Sequence, residues 1–413
     1  MLRVRGKLLS LLIGVMSIIC AAQHAEVTDY VDGRPAATMR YDAQDQGIVL
    51  APGGCPNDCD KYGARDVWVF EYKGTFYMHY DAAGETGWLA ALAESKDLVH
   101  WKKQGAVLSL GPPGSRDSAS ASYGTTYFDG KSWHMFYLGT PHVTPAPDRI
   151  PSFPYLTLEA RSDSPTGPWT KMADATPFEP MPGTYYSATA SPGQIIPTDA
   201  GYLQFFSAST YKPIMRTLSI ARAADLNGTW TIDSQPIVPP TEQVENSSLY
   251  FEKAISTWFL FTNHVGIDGD GEYTDSIWVY WTKDLNSWDP AKKAIVLDGK
   301  NSRLSKRCIG LPSVVRYGNR LAIFYDAPGG NSVSHMHRSI GLAWLRLPLN
   351  VPMPRPRDVK RAYRSFNVYP IGRRAGTESF FIHTPANCHQ GSYQIVIVTE
   401  LDLSLCPGLL LAA

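Results

Sequence analysis

The chain has 413 residues, 38 basic and 38 acidic side chains, and so no formal net charge. With no basic field and no acidic tail, nucleic acid is not an expected partner, and neither is a store of cations. Aromatic residues make up 12%, which suits both wedges between packed sheets and stacking on sugar faces.

Residues 1–22 read as an export leader. Arg3, Arg5 and Lys7 precede an apolar run from Leu8 to Ile19, and Cys20-Ala-Ala22 follows. The run is too short to span a membrane, and no other stretch is long and apolar enough. The mature protein is therefore expected to be secreted or periplasmic. A lipid anchor on Cys20 is the less favoured outcome, because Ser17-Ile-Ile matches a lipoprotein signal poorly. Export permits disulfides. Without Cys20, five cysteines remain (Cys55, Cys59, Cys308, Cys388 and Cys406), an odd set in which Cys55 and Cys59 could close a small loop. With no second matching pair, they do not read as a zinc site. Residues 23–65 are an irregular lead-in expected to supply a closing strand.

From Asp66 to Trp101 the chain reads as four short strands: Asp66–Phe70, a Lys73-Gly74 turn, Thr75–Tyr80, Trp88–Ala93, and a close at Ser95-Lys-Asp-Leu with Trp101. The pattern recurs. Asp129–Tyr137 leads to Ser164–Trp169, Gly201–Phe206 to Asp225–Trp230, and Thr257–Thr262 to Lys283–Trp288. A fifth copy runs from Gly310 through Gly318–Tyr325 to Gly341–Trp344. The closing tryptophans 101, 169, 230 and 288 are about sixty residues apart. Four-stranded units at a fixed period predict an all-β, five-bladed β-propeller over residues 23–350. A β-sandwich is the alternative. Residues 351–413 change character: Pro352, Pro354 and Pro356 precede Lys360, Arg361, Arg364, Arg373 and Arg374. That basic, proline-rich arm and the strand-like pieces after it belong to no repeat.

In a propeller, the N-terminal ends of the first strands face one mouth. Counting back from the aromatic second strand, Asp66 stands ten residues before Phe76, Asp117 sixteen before Trp133, and Glu245 thirteen before Trp258. The third and fifth repeats, at Ser187–Gln194 and Cys308–Ser313, bring no carboxylate. Two carboxylates across a pocket are what glycoside hydrolysis needs: one protonates the leaving oxygen, the other activates water or attacks the anomeric carbon. Trp68, His264 and His335 are candidate sugar contacts. His335 and His337 alternate in a Gly-rich segment and on a strand would share a face, but no third metal ligand is in view. Asp268, Asp270 and Glu272 could suggest a structural calcium ion but lack an EF-hand pattern. No cofactor is expected: there is no phosphate loop, no dinucleotide fingerprint and no nucleophile elbow.

The five-unit pattern resembles the five-bladed propeller glycoside hydrolases, the group holding families 43, 62, 32, 68 and 117. Asp66-Val-Trp-Val-Phe-Glu-Tyr-Lys-Gly-Thr-Phe-Tyr is similar to the first blade of family 43, with Val67 where a proline is usual. Glu245-Asn-Ser-Ser-Leu-Tyr-Phe fits the opening of the blade that carries that family's general acid, and Ser95–Trp101 fits the group's closing motif. The resemblance covers about residues 60–348. It implies an oligosaccharide or polysaccharide substrate of plant or algal origin, Glu245 as general acid and Asp66 as general base, with inversion. The family's third carboxylate has no match at Ser187–Gln194, and Asp117 is the nearest substitute. A non-catalytic carbohydrate-binding propeller and a retaining or sugar-transferring propeller remain as alternative functions.

Overall fold

The computed structural model describes residues 37, 39–173, 175–269 and 271–352, and the backbone of three further strands. The expected leader at residues 1–22, Asp270, Cys388, Cys406 and residues 353–367 lie outside the described residues. The protein divides into two compact parts. One comprises Tyr41–Asn350; the other joins Ala36–Arg40 to Val351–Ala413. The second part contains a three-stranded antiparallel sheet of Val368–Arg374, Thr377–Ile382 and Gln394–Val398.

The first part is all-β, interrupted among the described residues only by three short 3-10 turns. Its strands run in five consecutive antiparallel repeats. Repeat 1 is Gly63–Tyr72, Thr75–Gly84, Gly87–Ser95 and Lys102–Ala106; repeat 2 is Ser120–Phe128, Trp133–Thr140, Leu156–Ser162 and Thr170–Lys171. Repeat 3 is a broken first strand (Thr189–Ser191, Ile195–Thr198) with Gly201–Ser209, Arg216–Ala223 and Thr231–Ile232. Repeat 4 is Val244–Glu252, Thr257–Asp268, Gly271–Thr282 and Lys293–Leu297. Repeat 5 is Ser313–Tyr317, Arg320–Ala327 and Ser339–Arg346, completed by Gln44–Leu50 from the start of the chain. The expected closing strand of the lead-in is that last one. The hydrogen-bonded sheets of this part number four, because repeats 1 and 2 share one sheet through a short parallel pairing, Trp88–Leu89 with Ser120–Ala121.

The closing motif has a local cause. Ser95 Oγ accepts the N–H groups of Asp97 and Leu98 at 3.1 and 2.9 Å, and Asp97 Oδ1 accepts those of Val99 and His100 at 2.9 and 2.8 Å. Short polar side chains thus satisfy a turn's backbone in place of a ladder. Trp101 and Trp288 each donate Nε1–H to the carbonyl three residues back, at 2.9 and 2.8 Å. The motif therefore turns the third strand into the fourth.

Apolar cores lie between neighbouring repeats. Val67, Met78 and Tyr80 of repeat 1 pack with Phe324, Leu342 and Trp344 of repeat 5, and Phe136 of repeat 2 packs with Phe206 and Trp230 of repeat 3. Full burial of one such side chain is worth about 1.5–3 kcal/mol.

Every first strand carries one extra residue at the same place. Arg65 faces Asp81 but Trp68 faces His79; Ala121 faces Gly139 but Gly124 faces Tyr137; Glu245 faces Asn263 but Ser248 faces Phe261. In repeat 3 the offset falls between Ser191 and Ile195, and in repeat 5 between Gly310 and Ser313. Such bulges kink a strand and re-aim its side chains. In repeat 3 the kink needs Gly193, where a Cβ would sit 1.6 Å from the Phe205 carbonyl oxygen.

In repeats 1, 3, 4 and 5 the second-strand residue facing the bulge reaches the next repeat; in repeat 2 that position is Gly139. Asp81 accepts the Tyr123 N–H, Ser207 Oγ accepts the Asn246 N–H at 2.8 Å, Asn263 Nδ2 donates to the Ile309 carbonyl at 2.9 Å, and Asp326 Oδ2 accepts the Asp66 N–H at 3.0 Å. Below them a second set of bonds links the first strands: Trp68 to Thr126, Thr125 to Gly193, Gln194 to Leu249, Ser248 to Val314, and Ser313 to Val69. The last bond returns to repeat 1, so the ties close a ring.

Candidate active site

The bulges of repeats 1, 2 and 4 bring Asp66, Ser122, Tyr123 and Asn246 to the lining of a pocket of about 110 Å³. Its charged lining is Arg65, Asp66 and Asp81 of repeat 1, Arg216 of repeat 3, Glu245 and Glu272 of repeat 4, with His335 from the loop before the third strand of repeat 5. Leu138, Ile150, Pro151 and Tyr155 of repeat 2 supply an apolar wall.

Asp66 occupies the bulge itself, at φ +47°. That left-handed conformation is costly for a residue with a Cβ and is held by its surroundings. Asp326 takes its N–H and is itself held by Arg338 Nη1 at 2.7 Å. The Asp66 carboxylate receives Arg65 Nε and Nη2 at 3.1 and 3.3 Å. Arg65 also lies over the Trp88 ring, 5.1 Å from its centre, and places Nη1 2.8 Å from His335 Nδ1. A guanidinium only donates, so Nδ1 accepts and the His335 proton belongs on Nε2. Burial, with Arg65, Arg338 and Arg216 nearby, holds this imidazole well below its usual range and so neutral.

Glu245 stands at the residue before the bulge in repeat 4, the register position of Arg65. Arg216 Nη1 lies 2.7 Å from its Oε2 and pairs at the same time with Glu272. Asp66 and Glu245 keep 16% and 19% side-chain exposure, enough to meet a ligand while mostly shielded from water. Burial raises the Asp66 carboxyl, with Asp326 adding and Arg65 and Arg338 opposing. Burial also raises Glu245, reinforced by Glu272 and opposed by Arg216, Arg65 and Arg338. Four carboxyl groups against two guanidinium groups in one small pocket favour retention of a proton.

The structure thus brings together Asp66, Glu245 and His335 of the residues that the sequence singles out. The other three lie elsewhere. Asp117 is 5% exposed and is held by Lys171, Tyr137 Oη at 2.8 Å and Ser115 Oγ at 2.9 Å, away from the pocket lining. His264 is fully buried, stacked 3.9 Å from the Trp278 ring centre, with Nε2 2.7 Å from the Tyr280 hydroxyl. Trp68 points its Nε1–H at Thr126 Oγ1, 3.1 Å away, and ties repeat 1 to repeat 2. His335 and His337 lie in a loop rather than on a strand, and His337 has φ +58°. Among the described residues no three His, Cys, Asp or Glu side chains are placed so that they could hold a metal ion together. Cys55 and Cys59 form a disulfide.

Asp81, Arg65 and Arg216 do not stand out as site residues in the sequence, and Glu272 does so only as part of a possible calcium loop. Asp81 and Glu272 sit on second and third strands, where a first-strand count does not reach, although Asp81 directly follows the aromatic run Thr75–Tyr80 and Glu272 belongs to the acidic turn. A larger groove of about 690 Å³, lined by Tyr202, Arg222, Trp258 and Asn286, contains a single carboxylate, Asp284, and offers no acid–base pair.

No family model and no curated protein matches the chain. Solved structures do. The protein has the β-propeller fold found in glycoside hydrolases. BT0996, a protein solved as an RGII complex, matches 76% of this chain and 95% of its own length, at 15% identity and a TM-score of 0.57. The GH62 α-L-arabinofuranosidase of Coprinopsis cinerea matches over 75% and 98% (13%, 0.51), and a family 117 glycoside hydrolase of the marine bacterium Zobellia galactanivorans over 79% and 99% (14%, 0.52).

Proposed function

We propose that this chain is a five-bladed propeller glycoside hydrolase, exported from the cell, that cleaves a plant or algal oligosaccharide or polysaccharide. One observation carries the reading. Asp66 and Glu245, from repeats separated in sequence, meet in one shielded pocket with their protons held more tightly than usual. Glu245 donates its proton to the glycosidic oxygen as the bond to the anomeric carbon breaks. Asp66 accepts a proton from the water that adds to that carbon from the other face, giving inversion. Glu272 eases the acid's cycle: when Glu245 takes up a proton, Arg216 keeps a carboxylate partner and is not left buried and unpaired. The closed ring of five repeats supports the blade count, and the leader with the Cys55–Cys59 disulfide supports a secreted or periplasmic location.

The test is hydrolysis of aryl furanosides and pyranosides, beginning with α-L-arabinofuranosides because of the GH62 neighbour, by wild type and Glu245→Gln. Turnover that the variant loses is the expected result. Glycan binding with no turnover in either protein would replace the enzyme by a binding propeller. The first-formed anomer then decides the route: an inverted product is expected, and a retained one would make Asp66 the nucleophile.

A further inference from the structure

Asp66 and Asn246 hold the same register position in repeats 1 and 4, and both are left-handed, at φ +47° and +65°. A residue with a Cβ keeps that conformation only where its surroundings impose it. In both bulges the N–H of the left-handed residue is taken by a side chain of the preceding repeat. Asp326 Oδ2 of repeat 5 accepts from Asp66 at 3.0 Å, and Ser207 Oγ of repeat 3 accepts from Asn246 at 2.8 Å. The peptide unit between Glu245 and Asn246 is held on its other side as well, because Thr262 Oγ1 donates to the Glu245 carbonyl at 2.8 Å. Asp326 is itself fixed. It is fully buried, and Arg338 Nη1 meets its Oδ1 at 2.7 Å. Arg338 in turn donates Nε to the Ser334 carbonyl at 2.9 Å and Nη2 to Cys308 Sγ at 3.1 Å.

We propose that Asp326 and Ser207 are positioning residues: each pins the backbone N–H of a left-handed bulge in the next repeat, and so aims Asp66 and Glu245 into the pocket. Without its clamp a bulge relaxes toward extended backbone, and the side chains beside it swing away. The acid and the base are then each aimed by a repeat other than their own. For Asp66 that repeat is the fifth, so the base takes its working place only when repeat 5 has docked on repeat 1 and the ring is closed. The clamps rest on the geometry alone; their catalytic consequence rests on the hydrolase reading.

Removing the Asp326 carboxylate would strand Arg338, which is 2% exposed, and endanger the fold. Gly310→Ala is the gentler variant. A Cβ there would lie 2.6 Å from both Asp326 carboxylate oxygens, so it crowds them off the Asp66 N–H and leaves both charges in place. Ser207→Ala removes the other clamp, and Ser207→Thr keeps its hydroxyl. Thr125→Val is the control: it deletes the 2.8 Å bond from Thr125 to the Gly193 carbonyl, a tie between repeats that lies below the bulges. Two readouts apply to the full-length protein. Amide hydrogen exchange needs no substrate. The Asp66 N–H is expected to exchange at least about tenfold faster in Gly310→Ala than in wild type, and the Asn246 N–H likewise in Ser207→Ala. In turnover, both variants are expected to lower kcat by about ten- to a hundredfold with KM near wild type, and Ser207→Thr to recover most of that loss. Thr125→Val is expected to lower the melting temperature while kcat holds. Unchanged exchange, a rise in KM with kcat intact, or a fall in kcat for Thr125→Val equal to that for Ser207→Ala overturns the proposal. If exchange responds as expected and no glycoside is cleaved, the clamps stand as what shapes the pocket, and only the hydrolase reading falls.

Discussion

Two glutamates three residues apart in repeat 4 have opposite fates. Glu242 ends a 3-10 turn, is 3% exposed, and is enclosed by Lys293 and by the Tyr280 hydroxyl at 2.6 Å, with His264 Nε2 3.9 Å away. Glu245 has a guanidinium too, but it shares Arg216 with Glu272 and opens on a pocket. The first cluster has a cation of its own, and burial beside Glu242 keeps Tyr280 a neutral donor. The second has more carboxylates than cations and a space for a ligand. Buried ionisable groups alone do not mark a site. A shared counterion beside a cavity does, because there a proton can come and go without stranding a charge.

The contrast can be broken by mutation. Asp66→Asn and Glu245→Gln should each lower turnover by about 10²–10⁴-fold while the melting temperature stays near wild type; an effect below tenfold would return the pair to ordinary polar lining. Lys293→Met should do the reverse. It strands Glu242 in the interior and should cost about 3–5 kcal/mol in urea unfolding, with turnover per folded molecule preserved. If activity fell and stability held, the two clusters would be one.

Smaller effects sharpen the line. Asp117→Asn should lose about 1–3 kcal/mol by weakening the Lys171 and Tyr137 bonds, and leave turnover unchanged. A collapse in turnover would restore Asp117 to the chemistry. His79 gives the gentlest test. It is fully buried between Phe70 and Trp169, and burial lowers its pKa to about 3. The unfolded chain protonates this ring near its ordinary 6.5. Below that pH the unfolded state binds the extra proton, so stability should fall by about 1.4 kcal/mol per pH unit until the folded ring titrates. His79→Phe should flatten that acid slope in thermal melts between pH about 4 and 6.

Much of the fold is legible in the sequence. Turn pairs, aromatic second strands and the Ser-x-Asp-Leu closes place the strands within a few residues, because each is a local matter of turn chemistry and pleat. The bulges are not legible. One added residue leaves no mark in the pattern yet flips every side chain beyond it. Counting back from Phe76, Trp133 and Trp258 therefore treats Asp66, Asp117 and Glu245 as equivalents. In the ladder, Glu245 matches Arg65, and Asp117 precedes its strand altogether. The second-strand carboxylate Asp81 stays hidden for a related reason: its role depends on reaching the backbone of the next repeat, a pairing that no single repeat contains.

Gln44–Leu50 has a consequence for how this protein comes into being. It is made early, yet among the described residues its only strand partner is Ser339–Arg346, with Gln44 facing Trp344 about 300 residues later. During synthesis the segment must wait as an unpaired edge, exposed to mispairing with other chains. Its capture is then a late, long-range event, the kind of contact that slows folding most. The same strand that finishes the ring sets the time during which the nascent chain is vulnerable, and that edge stays open until the far end arrives.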